Sequence, residues 1–262
     1  MSTVTITAAD INKLRQTTGA GMMDCRKALT ETNGDFEAAI DWLRKQGQKV
    51  AAKRSDREAK EGVVIAQTSA NHQSGWIVCI SCETDFVSKN ADFVAFAQQI
   101  ADAAVANNVA SADELNEVVI NGAKVADMIN DKLAAIGEKI GVSRFERIDA
   151  PYVASYIHGA NRMGVLVGFS ETAEEAGKDV AMQIAAMNPL AVDADSISAE
   201  TIERERAIVV ATMKAGKLNA FFKEQTLLAQ PFVKDGSMSV GDYLKKSGTS
   251  IKVTGFKRVA LG

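Results

Sequence analysis

The fold is decided by residues 75–84, which read Gly-Trp-Ile-Val-Cys-Ile-Ser-Cys-Glu-Thr, and by the segments on either side of them. Their apolar, β-branched and aromatic residues predict a buried strand. A second apolar run at 62–68 precedes a polar loop at 69–74, so the two runs predict a β-hairpin. Asn90 then predicts the start of a long helix, because its side chain can accept hydrogen bonds from the first backbone amides. One face of that helix carries Phe93, Phe96, Ala97, Ile100 and Ala104.

A weaker copy of this arrangement lies later in the chain. Residues 164–172, Gly-Val-Leu-Val-Gly-Phe-Ser-Glu-Thr, follow a strand predicted at 153–158 and end in the same Glu-Thr pair. Both copies lead to a helix that contains Gln-Ile-Ala, but four more residues precede it in the first copy. These residues fall around 85–89, so the first copy carries an enlarged strand-to-helix loop with Phe86 at its tip.

The first 52 residues predict a small bundle of three helices. Thr7 and Asp10 form a variant of the capping box at the start of the first helix. Residues 17–21, Thr-Thr-Gly-Ala-Gly, end that helix, since glycine is the usual residue past a helix end. Asp35 caps the third helix. The residues predicted to face inward are Ile11, Leu14, Phe36, Ala39, Ile40 and Leu43.

Four further segments complete the pattern. Residues 53–61 carry both signs of charge, which predicts a solvated, helical linker. Residues 198–226 predict charge-rich helix, residues 239–246 a short helix, and residues 251–259 a final strand.

The composition excludes several classes of protein. The 262 residues include 30 Lys+Arg and 33 Asp+Glu, and this near-neutral charge argues against direct binding to nucleic acid. Neither a secretory signal nor an apolar run long enough for a membrane span is visible. Three cysteines do not make a secreted disulfide scaffold. We therefore expect a cytoplasmic protein of about two compact units, with no membrane or nucleic-acid partner.

The sequence carries no clear catalytic motif. Cys79 and Cys82 form a C-x-x-C pair, but this spacing within a strand directs the side chains to opposite faces. The pair also lacks the helix N-terminus that lowers a thiol pKa in redox enzymes. We expect structural cysteines, with a thiol redox enzyme as the alternative. No glycine-rich phosphate loop is present, and the two histidines form no metal motif. We expect no cofactor, no metal ion and no enzymatic activity.

Two motifs resemble those of a known family. Residues 18–29, Thr-Gly-Ala-Gly-Met-Met-Asp-Cys-Arg-Lys-Ala-Leu, are followed by Asn-Gly-Asp at 33–35. Together with Cys-Glu-Thr-Asp-Phe-Val at 82–87, they resemble bacterial elongation factor Ts. Shorter matches occur in the same order along nearly the whole chain, at residues 135–138, 156–159 and 227–233.

The resemblance implies an α+β fold. It consists of an N-terminal three-helix UBA-like (ubiquitin-associated-like) bundle, a core of two related α+β subdomains, and a helical dimerisation insertion. The boundaries that follow are 1–52 for the bundle, 53–61 for the linker, 62–149 for the core N-subdomain, 150–190 with 227–262 for the core C-subdomain, and 191–226 for the insertion. The insertion is shortened at Thr212 to Leu218. The resemblance allows a dimer of heterodimers, and the short insertion argues against it.

The resemblance also implies a function, nucleotide exchange on the GTPase elongation factor Tu. Such a factor promotes GDP release so that GTP can bind. The resemblance assigns dislocation of the partner's Mg²⁺ to Thr84, Asp85, Phe86 and Val87. The alternative is a passive adaptor that binds through its UBA-like bundle and does not promote exchange.

Each site residue also has a purely structural interpretation. Phe86 can instead be a core side chain, and Asp85 a cap of the loop or helix. The resemblance suggests partner contacts for Met22, Met23, Arg26, Lys27, Ile136, Gly137 and His158. The two methionines can belong to the bundle core, although neighbouring residues on a helix do not both face inward equally well. Arg26 and Lys27 can be ordinary surface charges, and His158 a strand-end histidine.

Overall fold

The computed structural model describes residues 5–54, 56–211, 217–248 and 250–262. The helices are α1 (Ala8–Thr18), α2 (Met22–Glu31), α3 (Phe36–Lys53), α4 (Asp85–Ser88), α5 (Ala91–Ala106), α6 (Ala112–Glu117), α7 (Val125–Ile136), α8 (Glu174–Met187), α9 (Ala199–Ala211), α10 (Lys217–Gln225) and α11 (Val240–Ser247). The strands are β1 (Glu61–Thr68), β2 (Ser74–Cys82), β3 (Val119–Ile120), β4 (Ala123–Lys124), β5 (Gly141–Asp149), β6 (Tyr152–His158), β7 (Met163–Phe169), β8 (Pro231–Phe232), β9 (Asp235–Ser239) and β10 (Val253–Ala260). The α+β prediction is confirmed.

The chain divides into two compact units. The first unit comprises Met1–Val63, Cys79–Arg144 and Leu261–Gly262, and the second comprises Val64–Val78 and Phe145–Ala260. One three-stranded sheet has the order β1-β2-β5 and another the order β10-β7-β6. The pairs β3-β4 and β8-β9 form small two-stranded sheets.

The N-terminal residues form the predicted helical bundle. Thr7 and Asp10 complete a reciprocal capping box at the start of α1. Gly19 ends α1 with a φ of 69°, a left-handed conformation that glycine adopts without strain. Asp35 accepts a 2.9 Å hydrogen bond from the backbone N–H of Ala38 at the start of α3. The bundle core consists of Leu14, Ala20, Cys25, Ala28, Leu29, Ala39 and Leu43, with Ile6, Ile11, Phe36, Ile40 and Trp42 packed against it.

The predicted hairpin and the helix after it are also present. β1 and β2 are neighbours in their sheet, and nearly all of β2 is buried. Asn90 caps α5 by accepting from the backbone N–H groups of Asp92 and Phe93. The whole predicted stripe of α5 is buried, so local capping and apolar spacing together place this helix correctly.

The second copy supplies β6 and β7 of the other sheet, with β7 at its centre. β7 pairs antiparallel with β6 and with β10, so its residues are covered by neighbours on both edges. Phe169 at the end of β7 is fully buried and lies opposite Tyr152 of β6. Residues from α8, including Val180 and Ile184, belong to the same core.

Some elements differ from the sequence prediction. The helical prediction for residues 53–61 is wrong, because α3 ends at Lys53 and the described residues from Arg54 to Lys60 are not helical. Arg54 instead pairs with Glu83. α6, α7 and β5 were not predicted at all. Residues 212–216, where the insertion at 191–226 is predicted to be shortened, lie outside the described residues.

Candidate partner-binding site

The enlarged loop of the first copy folds into a single helical turn. α4 contains only four residues, and Thr84 is its N-cap residue. Phe86 lies on this turn with 85% of its surface exposed, so the interpretation as a core side chain is wrong. Val87, on the same turn, is half-buried. Among the exposed large hydrophobic side chains that the structure describes, Phe86 has the largest exposed fraction.

Glu138 holds the start of this turn. Its carboxylate accepts hydrogen bonds of 3.0 Å from the backbone N–H groups of both Glu83 and Thr84. It also accepts a 2.6 Å hydrogen bond from the Thr84 hydroxyl. The sequence motif drew attention to Ile136 and Gly137, but this contact of their neighbour was missed.

Glu83 in turn contacts the loop that carries Glu138. Its carboxylate accepts a 2.7 Å hydrogen bond from the backbone N–H of Lys139 and pairs with the Arg54 guanidinium at 2.7 Å. The Lys139 N–H, together with Arg54 and Arg57, holds the pKa of the Glu83 carboxyl below its ordinary value. The loop after β2 and the loop after α7 are therefore tied together in both directions.

Asp85 pairs with a lysine on its own turn. Lys89 donates to the Asp85 carboxylate at 2.7 Å and lowers the pKa of that carboxyl. The Lys89 side chain is largely exposed and that of Asp85 about half-exposed, and a solvent-accessible pair of this kind contributes little to stability. The Asp85 carboxylate therefore remains accessible to a partner that offers a competing cation.

A cleft of about 790 Å³ lies beside this turn, within the first unit. Phe86 and Val87 line it together with the end of α1 and with Ile136. Three sequence motifs therefore meet at one surface, namely Thr18-Gly19-Ala20, the turn of Phe86, and the end of α7.

The remaining predicted contacts are all at the surface. Met22 is 52% exposed and Met23 71%, so neither belongs to the bundle core. Arg26 and Lys27 are also exposed, and Lys27 lies over the Trp42 ring. These four residues share the short helix α2, which presents two flexible apolar and two cationic side chains to solvent.

Ile136, Gly137 and His158 end secondary-structure elements. Ile136 is the last residue of α7 and is 37% exposed. Gly137 caps α7 with a φ of 78°, which allows the chain to reverse direction directly before Glu138. His158 belongs to the second unit, where it ends β6, is exposed, and shares a 3.0 Å hydrogen bond with the Tyr156 hydroxyl.

The cysteines are poorly suited to redox chemistry. Cys25, Cys79 and Cys82 are all buried with free thiols. Burial raises the pKa of the Cys79 thiol. Burial, with the nearby carboxylates of Glu138 and Glu61, raises the pKa of Cys82 to about 12. Since the thiolate is the reactive form, neither thiol of the pair is activated.

In the part of the chain that the structure describes, no cluster of three or more His, Cys, Asp or Glu side chains is arranged to hold a metal ion. Within that same part, no helix combines the length and apolar character needed to cross a membrane.

Comparison with known proteins connects this surface to a family. The family model described as elongation factor Ts matches residues 83–262, a match that begins at the residue paired with Arg54 and includes the exposed turn. The chain belongs to the elongation factor Ts family. It is 45% identical to elongation factor Ts of Christiangramia forsetii, with 98% of this chain and 99% of that protein covered. It is 46% identical, at the same coverage, to elongation factor Ts of Flavobacterium psychrophilum and to that of Amoebophilus asiaticus.

Membership of the elongation factor Ts family makes this chain a translation elongation factor, as the resemblance implied. The part that the family model matches includes the turn that carries Phe86, and also Ile136, Gly137 and His158. Met22, Met23, Arg26 and Lys27 lie before it.

Proposed function

We propose that this member of the elongation factor Ts family is a guanine-nucleotide exchange factor for the GTPase elongation factor Tu. It acts in the cytoplasm by protein contact, without covalent chemistry. The observation that supports this proposal best is Phe86, a ring that is almost fully exposed yet sits on a turn braced at its start by Glu138.

The mechanism follows from the way a GTPase holds its nucleotide. Such a protein retains GDP through a phosphate cradle and a bridging Mg²⁺. A factor that binds best when this site is deformed weakens GDP binding, and GDP weakens binding of the factor by the same ratio. In this proposal the turn from Thr84 to Val87 inserts Phe86 between elements of the GTPase, and the displaced elements take the Mg²⁺ ligands out of position.

One aromatic side chain can contribute a substantial part of the binding energy. A buried aromatic hot spot contributes roughly 2–4 kcal/mol, which corresponds to a change of about 30- to 1,000-fold in affinity. Phe86 loses little freedom on binding, because a phenylalanine has two side-chain torsions and its backbone is already fixed in α4.

The other exposed residues would supply binding without deformation. Met22 and Met23 offer adaptable apolar contacts, and Arg26 and Lys27 offer charge. Ile136 and Gly137 border the cleft beside Phe86, and His158 would contact the GTPase from the second unit. Asp85 would engage a cation of the GTPase in place of Lys89.

The test uses the unsubstituted chain and purified elongation factor Tu that carries fluorescent GDP and Mg²⁺. Stopped-flow release into excess GTP should accelerate steeply with concentration of the chain. Analytical ultracentrifugation of the same mixture gives the complex mass and separates a one-to-one complex from a dimer of heterodimers. Complex formation with no faster release would reject exchange and favour the passive adaptor.

A further inference from the structure

We propose that Glu138 is a positioning residue for exchange, which fixes the turn of Thr84 to Val87 in the orientation that presents Phe86. This inference rests on the proposed function for its consequence, but the contact on which it depends is independent of that function. Glu138 acts through Phe86 and makes no contact with the nucleotide.

The first reason is that α4 is too short to hold itself. A single helical turn is unstable in isolation, because fixing its first residues costs more than one hydrogen bond returns. Thr84 is its N-cap, but the Thr84 side chain donates to Glu138 and makes no cap hydrogen bond to α4. The turn therefore depends on a contact from outside its own residues.

The second reason is the number of bonds that one carboxylate makes. Both oxygens of Glu138 are used, one by two backbone N–H groups and the other by the Thr84 hydroxyl. Hydrogen bonds to an ionised acceptor are about twice as strong as neutral ones. The Thr84 carbonyl is also engaged, since it accepts from the Cys82 thiol at 3.2 Å. Both backbone polar groups of Thr84, its N–H and its carbonyl, are therefore held by hydrogen bonds, and this fixes the direction in which the chain enters α4.

The third reason is that neither the Phe86 ring nor the pair of Asp85 with Lys89 holds the turn against the rest of the unit. The Phe86 ring itself is too exposed to be oriented by packing. The pair of Asp85 with Lys89 joins α4 only to the residue that follows it and is accessible to solvent, so it does not tie the turn to the rest of the unit. Glu138, by contrast, follows directly on the cap of α7, and Ile140 beyond it is buried.

The reciprocal contact makes Glu138 hard to displace. Glu83 donates its backbone N–H to Glu138, while the Glu83 carboxylate accepts from the backbone N–H of Lys139. Each glutamate thus fixes the backbone beside the other. Arg54 compensates the charge of Glu83, so the two carboxylates can lie in adjacent loops.

The experiment compares three single variants of the full chain, and adds Phe86→Ala alone and combined with Glu138→Ala. Glu138→Ala removes all three acceptor contacts. Glu138→Gln keeps a carbonyl oxygen for the backbone N–H groups and gains an N–H₂ that can donate to the Thr84 hydroxyl. Glu114→Ala is the matched control, since Glu114 also accepts from a backbone N–H, that of Ala110, but at the start of α6.

Amide hydrogen exchange, measured by NMR without any partner, tests the contact itself. In Glu138→Ala the N–H groups of Glu83 and Thr84 should exchange at least about tenfold faster, because their acceptor is lost. In Glu138→Gln and Glu114→Ala these two groups should stay protected. Unchanged protection in Glu138→Ala would overturn the inference whatever the chain does to a GTPase.

GDP release from elongation factor Tu tests the consequence. Glu138→Ala should lower the maximal release rate by about tenfold or more, the equivalent of one charge-assisted hydrogen bond, with little change in the concentration for half-maximal effect. Glu138→Gln should recover most of the rate. In a Phe86→Ala background, Glu138→Ala should have no further effect, because it acts only through the ring.

The outcomes separate this inference from the proposed function. An unsubstituted chain that does not accelerate release rejects the function, while the amide measurement still decides the contact. A chain that accelerates release, and whose Phe86→Ala and Glu138→Ala losses simply multiply in the double variant, rejects the positioning role.

Discussion

The two strand-to-helix junctions contain the same Glu-Thr pair but differ in length and in the exposure of a neighbouring phenylalanine. Between β2 and α5 the chain uses residues 83–90, and between β7 and α8 only residues 170–173. The longer junction carries Phe86 on an exposed turn. The shorter one follows directly on Phe169, which is fully buried.

The support of the two junctions differs in the same way. Glu83 and Thr84 bond to a distant loop through Glu138 and Lys139. In the short junction, Ser170 donates its backbone N–H to the Lys252 carbonyl and Glu171 accepts from the Ser250 hydroxyl, which ties the chain to the start of β10. The two junctions therefore differ in what they do with a phenylalanine side chain. The short junction leaves it in the core, and the long one, with four more residues and a turn held by Glu138, exposes it to solvent.

The largest expected effect is on the buried phenylalanine. Phe169→Ala should lower the free energy of unfolding by about 3–5 kcal/mol, because it leaves a cavity beside Tyr152 and Ala173. Phe86→Ala should change it by no more than about 0.5 kcal/mol, as for most surface substitutions. Urea titrations followed by circular dichroism measure both. An equal loss of unfolding free energy in the two variants would contradict the claim that only the shorter junction buries its phenylalanine in the core.

The next effect concerns the extra residues themselves. Removing residues 85–88 gives the first junction the length of the second, and GDP release should slow by roughly 100-fold, since the whole hot spot is lost. A control that replaces these residues with Gly-Ser-Gly-Ser keeps the length and should be equally slow. Fast release by the shortened chain would show that the turn has no part in exchange.

Much of the fold could be predicted because its signals are local. Helix ends are predicted from a few neighbouring residues, and the predicted caps are observed. They are Thr7 with Asp10, Gly19, Asp35 and Asn90. The repeated Glu-Thr pair located the loop of Phe86 in the same way. Whether the Phe86 ring is exposed or buried could not be predicted from the local pattern: only the resemblance implied exposure, and the structure shows it.

The parts that were not predicted have identifiable causes. α7 is an exception, because its apolar stripe of Val125, Ile129 and Leu133 follows helical spacing in the sequence. β5 is polar and only partly buried, so its pattern is weak. Glu138 lies 55 positions after Glu83 and 54 positions after Thr84 in the sequence. No local sequence pattern predicts hydrogen bonds between residues so far apart.

The smallest expected effect concerns the thiol that ends β2. The folded pKa of Cys82, about 12, lies above its ordinary value of 9.0, so stability should fall as pH rises between these values, where only the unfolded chain loses the proton. At pH near 8 an aromatic disulfide reagent should react with none of the three thiols until denaturant is added, and release should be unchanged after treatment. Rapid modification of the folded chain together with loss of exchange would favour the redox alternative.

The most direct test of the central claim is GDP release from elongation factor Tu with Phe86→Ala, by stopped flow at saturating concentration. The matched control is Val119→Ala, which truncates a side chain that is 61% exposed on β3, outside the proposed site. Phe86→Ala should slow release by at least about tenfold, while the Val119 variant matches the unsubstituted chain. Release by Phe86→Ala at the unsubstituted rate would contradict the claim that this ring opens the GTPase.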